Sequence, residues 1–236
     1  MARLVYALDA TESREASLAT AAPLAAALFA AGADAIDALA VKLVYFRGGG
    51  TAYPAECKAS KWLADAAELQ RLMAGIHCRA GRTQLQRVMA HTQRLAVSDE
   101  VRALVYIGDS CEEPLGVLED KACGLAEQGV PMLLFHDRRP QEGPGAVGGS
   151  KVYVNPATAQ VFQRLALITG GAYVPFSPES PQTLATLLRS AGALATGGRD
   201  ALDRLARREG GASRALAAQL PPPLIHRHRP DDSPWP

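Results

Sequence analysis

Four short apolar runs set the frame: LVYAL at 4–8, LAVKLVYF at 39–46, ALVYI at 103–107 and MLLF at 132–135. Each is rich in branched or aromatic residues and is bounded by turn residues or charges, the pattern of a strand buried on both faces. Longer stretches with helical spacing lie between them. Leu18, Ala22, Ala25 and Phe29 share one face, as do Leu69, Leu72 and Ile76. Leu85, Val88 and Leu95 recur within 84–96, Leu115, Leu118 and Leu125 mark a helix over 112–128, and Val161, Leu165 and Ile168 mark another. Alternating strands and helices predict an α/β fold: a three-layer Rossmann-like sandwich with a mainly parallel central sheet flanked by helices. The crossovers are expected to be right-handed.

Pro23 falls inside the first helical stretch, where it removes a hydrogen bond, so a bend or a later helix start is expected there. The stretch 47–62, RGGGTAYPAECKASKW, reads as a loop with a short edge strand over 57–62. The glycine- and proline-rich stretch 137–151 reads as a surface loop. GGAYVPF at 170–176 reads as a last strand, 180–195 as a last long helix, and GGRDALDRLARREGG as one further short helix. The expected organisation is an α/β domain over 1–197, a helical extension over 198–220, and a disordered tail over 221–236.

The formal net charge is +1, so no bulk electrostatic attraction favours nucleic acid or an anionic membrane. The first residues enter an apolar run with no basic segment before it, which is not the pattern of a secretion signal. The uncharged stretch 16–33 is mostly alanine and too weakly apolar for a membrane span. Cys57, Cys78, Cys111 and Cys123 form no C-x-x-C pair, so they read as reduced thiols of a cytoplasmic protein.

In an open α/β sheet, ligands sit at the carboxyl ends of the strands. After the first run come Asp9, Thr11 and Ser13; after the third come Gly108, Asp109 and Ser110; and Thr83 precedes the 84–96 helix. Two carboxylates and three hydroxyls at one sheet edge suit a hard divalent cation, Mg²⁺ or Mn²⁺. So few carboxylates leave such an ion open to an anionic ligand from outside. Each residue also has a plainer reading. Asp9 is a possible helix N-cap with Glu12 closing a capping box, Thr83 a cap of its helix, and Asp109 a cap or an Asx turn.

The order D-x-T/S-x-S, a distant threonine, then a strand-terminal aspartate resembles the metal-ion-dependent adhesion site of the von Willebrand factor type A (VWA) domain family. LVYALDATES resembles its first strand and loop, AGRTQLQRVM its threonine loop, ALVYIGDSCEE its fourth strand, and ITGGAYVPFSPES the stretch before its last strand and helix. The likeness covers roughly residues 3–195 and is greatest to small, stand-alone bacterial members. It implies a metal site of Asp9, Thr11, Ser13, Thr83 and Asp109, completed by a carboxylate from a protein partner. It also implies an AAA+ ATPase as one such partner, and no catalytic residue. GGG…ECKASKW departs from the family's edge-strand pattern.

Two competing classes remain. One is a metal-assisted phosphohydrolase with Asp9 as nucleophile, against which stands Thr11, where such enzymes carry a second carboxylate. The other is a metal-free scaffold on the same fold. Among the remaining polar residues, Cys111 reads as an inert thiol, and Glu112 and Glu113 as charges favouring the start of the 112–128 helix. His77 reads as a loop residue, His226 and His228 as tail residues, Trp62 as an edge-covering aromatic, and Lys61 as a shaper of the site rim.

Overall fold

The structure is a computed structural model and describes residues 1–30, 37–137, 156–177 and 180–221. The expected loop over 137–151 lies outside the described residues except for its first residue, and the expected tail lies outside them except for Pro221.

Six strands form one sheet in the order β3-β2-β1-β4-β5-β6. They are β1 (Ala2–Asp9), β2 (Leu39–Arg47), β3 (Glu56–Leu63), β4 (Val101–Gly108), β5 (Met132–Asp137) and β6 (Ala172–Phe176). All pairings are parallel except β2–β3, which makes β3 an antiparallel edge. The helices are α1 (Glu15–Leu24), α2 (Ala66–Ala74), α3 (Leu85–Ser98), α4 (Leu115–Glu127), α5 (Pro156–Thr169), α6 (Pro181–Glu209) and α7 (Gly211–Ala217). This is the predicted α/β sandwich. Among the described residues no helix is long and apolar enough to cross a membrane.

The two-residue period of β1 divides the core. Leu4, Tyr6 and Leu8 face one layer with residues of α1, α2, α6 and α7. Val5 and Ala7 face the other, with Val88 and Met89 of α3, Leu118 and Leu125 of α4, and Phe162 and Leu165 of α5. Both faces are covered, which is why the central strands read as continuous apolar runs rather than alternating ones.

Pro23 lies one residue before the end of α1, and a 3-10 helix, Ala25–Phe29, continues the chain. The helix therefore starts at Glu15, and its regular part ends one residue past the proline rather than starting late. α6 breaks at Gly198, whose φ of 65° and ψ of −161° are not helical, so the part that follows, up to Glu209, is a separate helical segment, as expected for GGRDALDRLARREGG. A further helix, α7, follows Gly210, and its neighbour Gln219 bonds both the N–H and the carbonyl of Tyr173 in β6.

Candidate functional site

β1 and β4 are neighbours, and the connections from them leave toward opposite sides of the sheet, so a crevice opens at their carboxyl ends. Asp9 is the last residue of β1, and Asp109 follows the last residue of β4. They stand one hundred residues apart in sequence, and the turn after β1 reaches Asp109 through one hydroxyl. Ser13 Oγ, in the 3-10 turn Glu12–Arg14, donates to Asp109 Oδ2 at 3.1 Å.

Asp9 is 2% exposed, and its Oδ1 accepts the N–H of Thr11 at 2.8 Å. The capping-box reading is corrected on this point. The carboxylate closes a short turn onto Thr11, and among the described residues no side chain caps the 3-10 turn or α1. The other Asp9 oxygen, Oδ2, is buried without a hydrogen-bond partner among the described residues, and so is Asp109 Oδ1. Burial raises Asp9 to about 6. Thr11 and the charge of Arg14 lower it, and the Asp109 charge adds a smaller raising effect.

Thr83 is buried, and its hydroxyl accepts the N–H of Glu112 at 3.1 Å, which ties the loop before α3 to the loop after β4. It does not cap α3. The orphan N–H groups of Leu85 and Gln86 are taken instead by the carboxylate of Glu113, the latter at 2.9 Å. Glu113 thus serves the start of α3 rather than α4, where the sequence alone places it. Thr11, Ser13 and Thr83 line one cavity of about 240 Å³ with Glu12, Ser110 and Glu112 on its walls. Three of the five candidates therefore share a cavity, and hydrogen bonds join Asp9 to Thr11 and Asp109 to Ser13.

Glycines make the close loop packing possible. Gly48 sits at φ 71°, and a Cβ on Gly81 would lie 1.9 Å from the Gly48 carbonyl oxygen. The Gln84 amide holds the carbonyls of Arg47 and Gly48 at 3.1 and 3.3 Å. The glycine run at 48–50 is thereby pinned against the Thr83 loop.

Several site neighbours escape sequence reading. Arg14 and Asp137 form a buried ion pair linking the turn after β1 to the end of β5. His136 places Nε2 3.3 Å from the Asp109 carbonyl oxygen and Nδ1 2.9 Å from the Tyr173 hydroxyl. The apolar run of β5 breaks at Phe135, so His136 and Asp137 look like loop. The available signal is their position, polar residues directly after a strand at the ligand-bearing edge.

Other candidates fall away. Burial raises the Cys111 thiol to about 11, against a lowering backbone hydrogen bond at Glu113 and with smaller raising contributions from the Glu113, Glu112 and Asp9 charges, which disfavours the thiolate near neutrality. Arg79 bonds Glu56 at 3.1 Å and lies over the Tyr53 ring. Lys61 pairs with Glu68 of α2 at 3.1 Å, beside Trp62, whose strand partner is Lys42; it is at the far end of the sheet and does not shape the rim. Trp62 covers that end, with Lys42 and Arg3 over its ring.

The donor set fits a hard cation in chemistry. It offers two buried carboxylate oxygens with no hydrogen-bond donor, beside three hydroxyls. Among the described residues no group of three or more His, Cys, Asp or Glu that could hold a metal ion stands together.

No family model matches the sequence, and no curated protein sequence matches it. Solved structures do. BatB from Bacteroides thetaiotaomicron, a conserved hypothetical protein, aligns over 81% of this chain and 98% of its own at TM-score 0.57 and 18% identity. A von Willebrand factor type A protein from Catenulispora acidiphila aligns over 81% of this chain and 43% of its own at TM-score 0.58 and 13% identity. The VWA domain of SpRpn10 aligns over 80% of this chain and 94% of its own at TM-score 0.53 and 14% identity. The chain has the fold of the VWA domain.

Proposed function

We propose that this chain is a protein-interaction module that binds its partner through Mg²⁺ or Mn²⁺ held by Asp9, Thr11, Ser13, Thr83 and Asp109. The observation that carries the reading is the pair of buried, donorless oxygens, Asp9 Oδ2 and Asp109 Oδ1. An ionised carboxylate oxygen removed from water costs free energy unless a charge or donor meets it. A divalent ion meets both and supplies a positive centre on which an anionic group can dock. Asp9 and Asp109 supply the charge; Thr11, Ser13 and Thr83 supply neutral oxygens, directly or through water. Because the set carries only two negative charges, a carboxylate from the partner completes it favourably. An AAA+ ATPase with an exposed acidic residue is a partner of this kind.

Thermal unfolding tests the reading. At a hundredfold excess over Kd, Mg²⁺ or Mn²⁺ stabilises the wild type by about 2.7 kcal/mol, a rise of roughly 5–10 °C for a chain of this size. Asp9→Ala abolishes the rise. Absence of any metal-dependent shift in the wild type overturns the proposal. A pull-down with and without chelator then reports whether partner capture depends on the ion.

A further inference from the structure

On the other side of β2 from β1, the edge strand β3 and helix α3 enclose a second cavity of about 250 Å³. Its walls carry Lys58 from the strand and Arg87, His91 and Arg94 from the helix, with Cys57 between them. Steps of four and three residues put Arg87, His91 and Arg94 on one helix face. Among the described residues no carboxylate lines the cavity. The cations are poorly neutralised. Arg87 bonds the neutral Gln84 amide oxygen at 2.6 Å. Lys58 has a carboxylate oxygen of Glu56 at 3.6 Å, and that carboxylate also serves Arg47 and Arg79. His91 Nε2 is shielded from solvent and has no hydrogen-bond partner among the described residues.

The charges act inward. Both Arg87 and Arg94 bear on the Cys57 thiol, lowering a value that burial raises. Burial first, then Arg94 and Lys42, holds the His91 imidazole below its ordinary value. The cavity is thus a concave, positive site with spare donors.

We propose that this cavity binds a phosphate-bearing ligand, with Arg94 and Arg87 as guanidinium forks on its oxygens, Lys58 as a third cation and His91 Nε2 as a further hydrogen-bond partner. Two guanidinium groups, an ammonium and an imidazole offer more donors than one carboxylate can accept. A phosphate monoester presents three acceptor oxygens and nearly two charges, which matches them. The site is separate from the Asp9–Asp109 crevice and does not depend on a metal there.

Calorimetric titration with inorganic phosphate, phosphoserine and malonate, at matched ionic strength and with EDTA present, tests it. The wild type gives saturable binding of inorganic phosphate or phosphoserine, and whichever binds tighter tells a free anion from an esterified one. Malonate, a dianion of two carboxylates, binds at least tenfold more weakly. Arg94→Gln, at an exposed position, weakens phosphate binding at least tenfold. Lys58→Gln, on the opposite wall, does so severalfold and provides the test should the first variant not fold. Asp9→Ala leaves phosphate binding unchanged. No saturable binding, wild-type affinity in both cavity variants, malonate bound as tightly as phosphate, or loss of binding in Asp9→Ala each overturns the proposal.

Discussion

Asp9 is buried at the end of β1 with a pKa raised from 3.8 to about 6, chiefly by burial. The folded state therefore holds this proton more tightly than the unfolded chain does. Its contribution to stability is complete below about 3.8 and is lost as pH rises through about 6. The interval corresponds to ~3 kcal/mol at most. In chelator, urea unfolding at pH 4 and pH 7.5 is expected to show the wild type losing stability relative to Asp9→Asn across that range. A parallel pH dependence in the two proteins refutes the assignment. Arg14, whose charge bears on Asp9, pairs with Asp137, and both side chains are almost fully buried. Asp137→Ala leaves a guanidinium without that partner in the interior and is expected to cost ~3–5 kcal/mol, read as a fall in urea midpoint.

At the scale of elements, the sequence made β1, β2, β4 and β5 legible because both faces of the sheet are covered and each strand carries a mainly apolar run. It made Asp9, Thr11, Ser13, Thr83 and Asp109 stand out as polar residues at element boundaries. Two kinds of information were not there to be read. Polar residues that finish a buried strand, such as His136 and Asp137, interrupt the apolar signal although the ladder continues through them. Partners supplied across loops have no local pattern: Glu113 lies beside the helix it does not cap and caps one that begins 28 residues earlier. Helix α3 lacks a side-chain cap of its own at Gln84, so its first N–H groups depend on Glu113. Glu113→Ala is expected to destabilise the protein by ~1–2 kcal/mol in chemical denaturation, the range of a lost cap. Gly81→Ala drives a Cβ into the Gly48 backbone and forces the two loops apart. Its expected signature is loss of the metal-dependent melting shift out of proportion to any fall in metal-free stability.

Across the whole molecule, the strand order decides what the crevice can hold. Placing β1 between β2 and β4 sets the loop after β1 against the loop after β4, with the Thr83 loop tied to the latter through Glu112. Three loops from distant parts of the chain thus share one cavity, and no short window of sequence contains that fact. It surfaced only because the spaced motif as a whole resembles a known site. Shared geometry also makes a collective prediction. If Asp9 and Asp109 hold one ion, either substitution to alanine removes most of the metal-dependent rise in melting temperature, and the double variant loses no more than the worse single one. Independent sites give losses that add. Ser13→Ala removes one neutral oxygen and the hydroxyl now bonded to Asp109, so it reduces metal affinity while both carboxylates still attract the ion. In a melting titration its midpoint moves to higher metal concentration but the full rise is recovered at saturation. A Ser13→Ala protein that never recovers the rise places the hydroxyl at the centre of the site rather than at its margin.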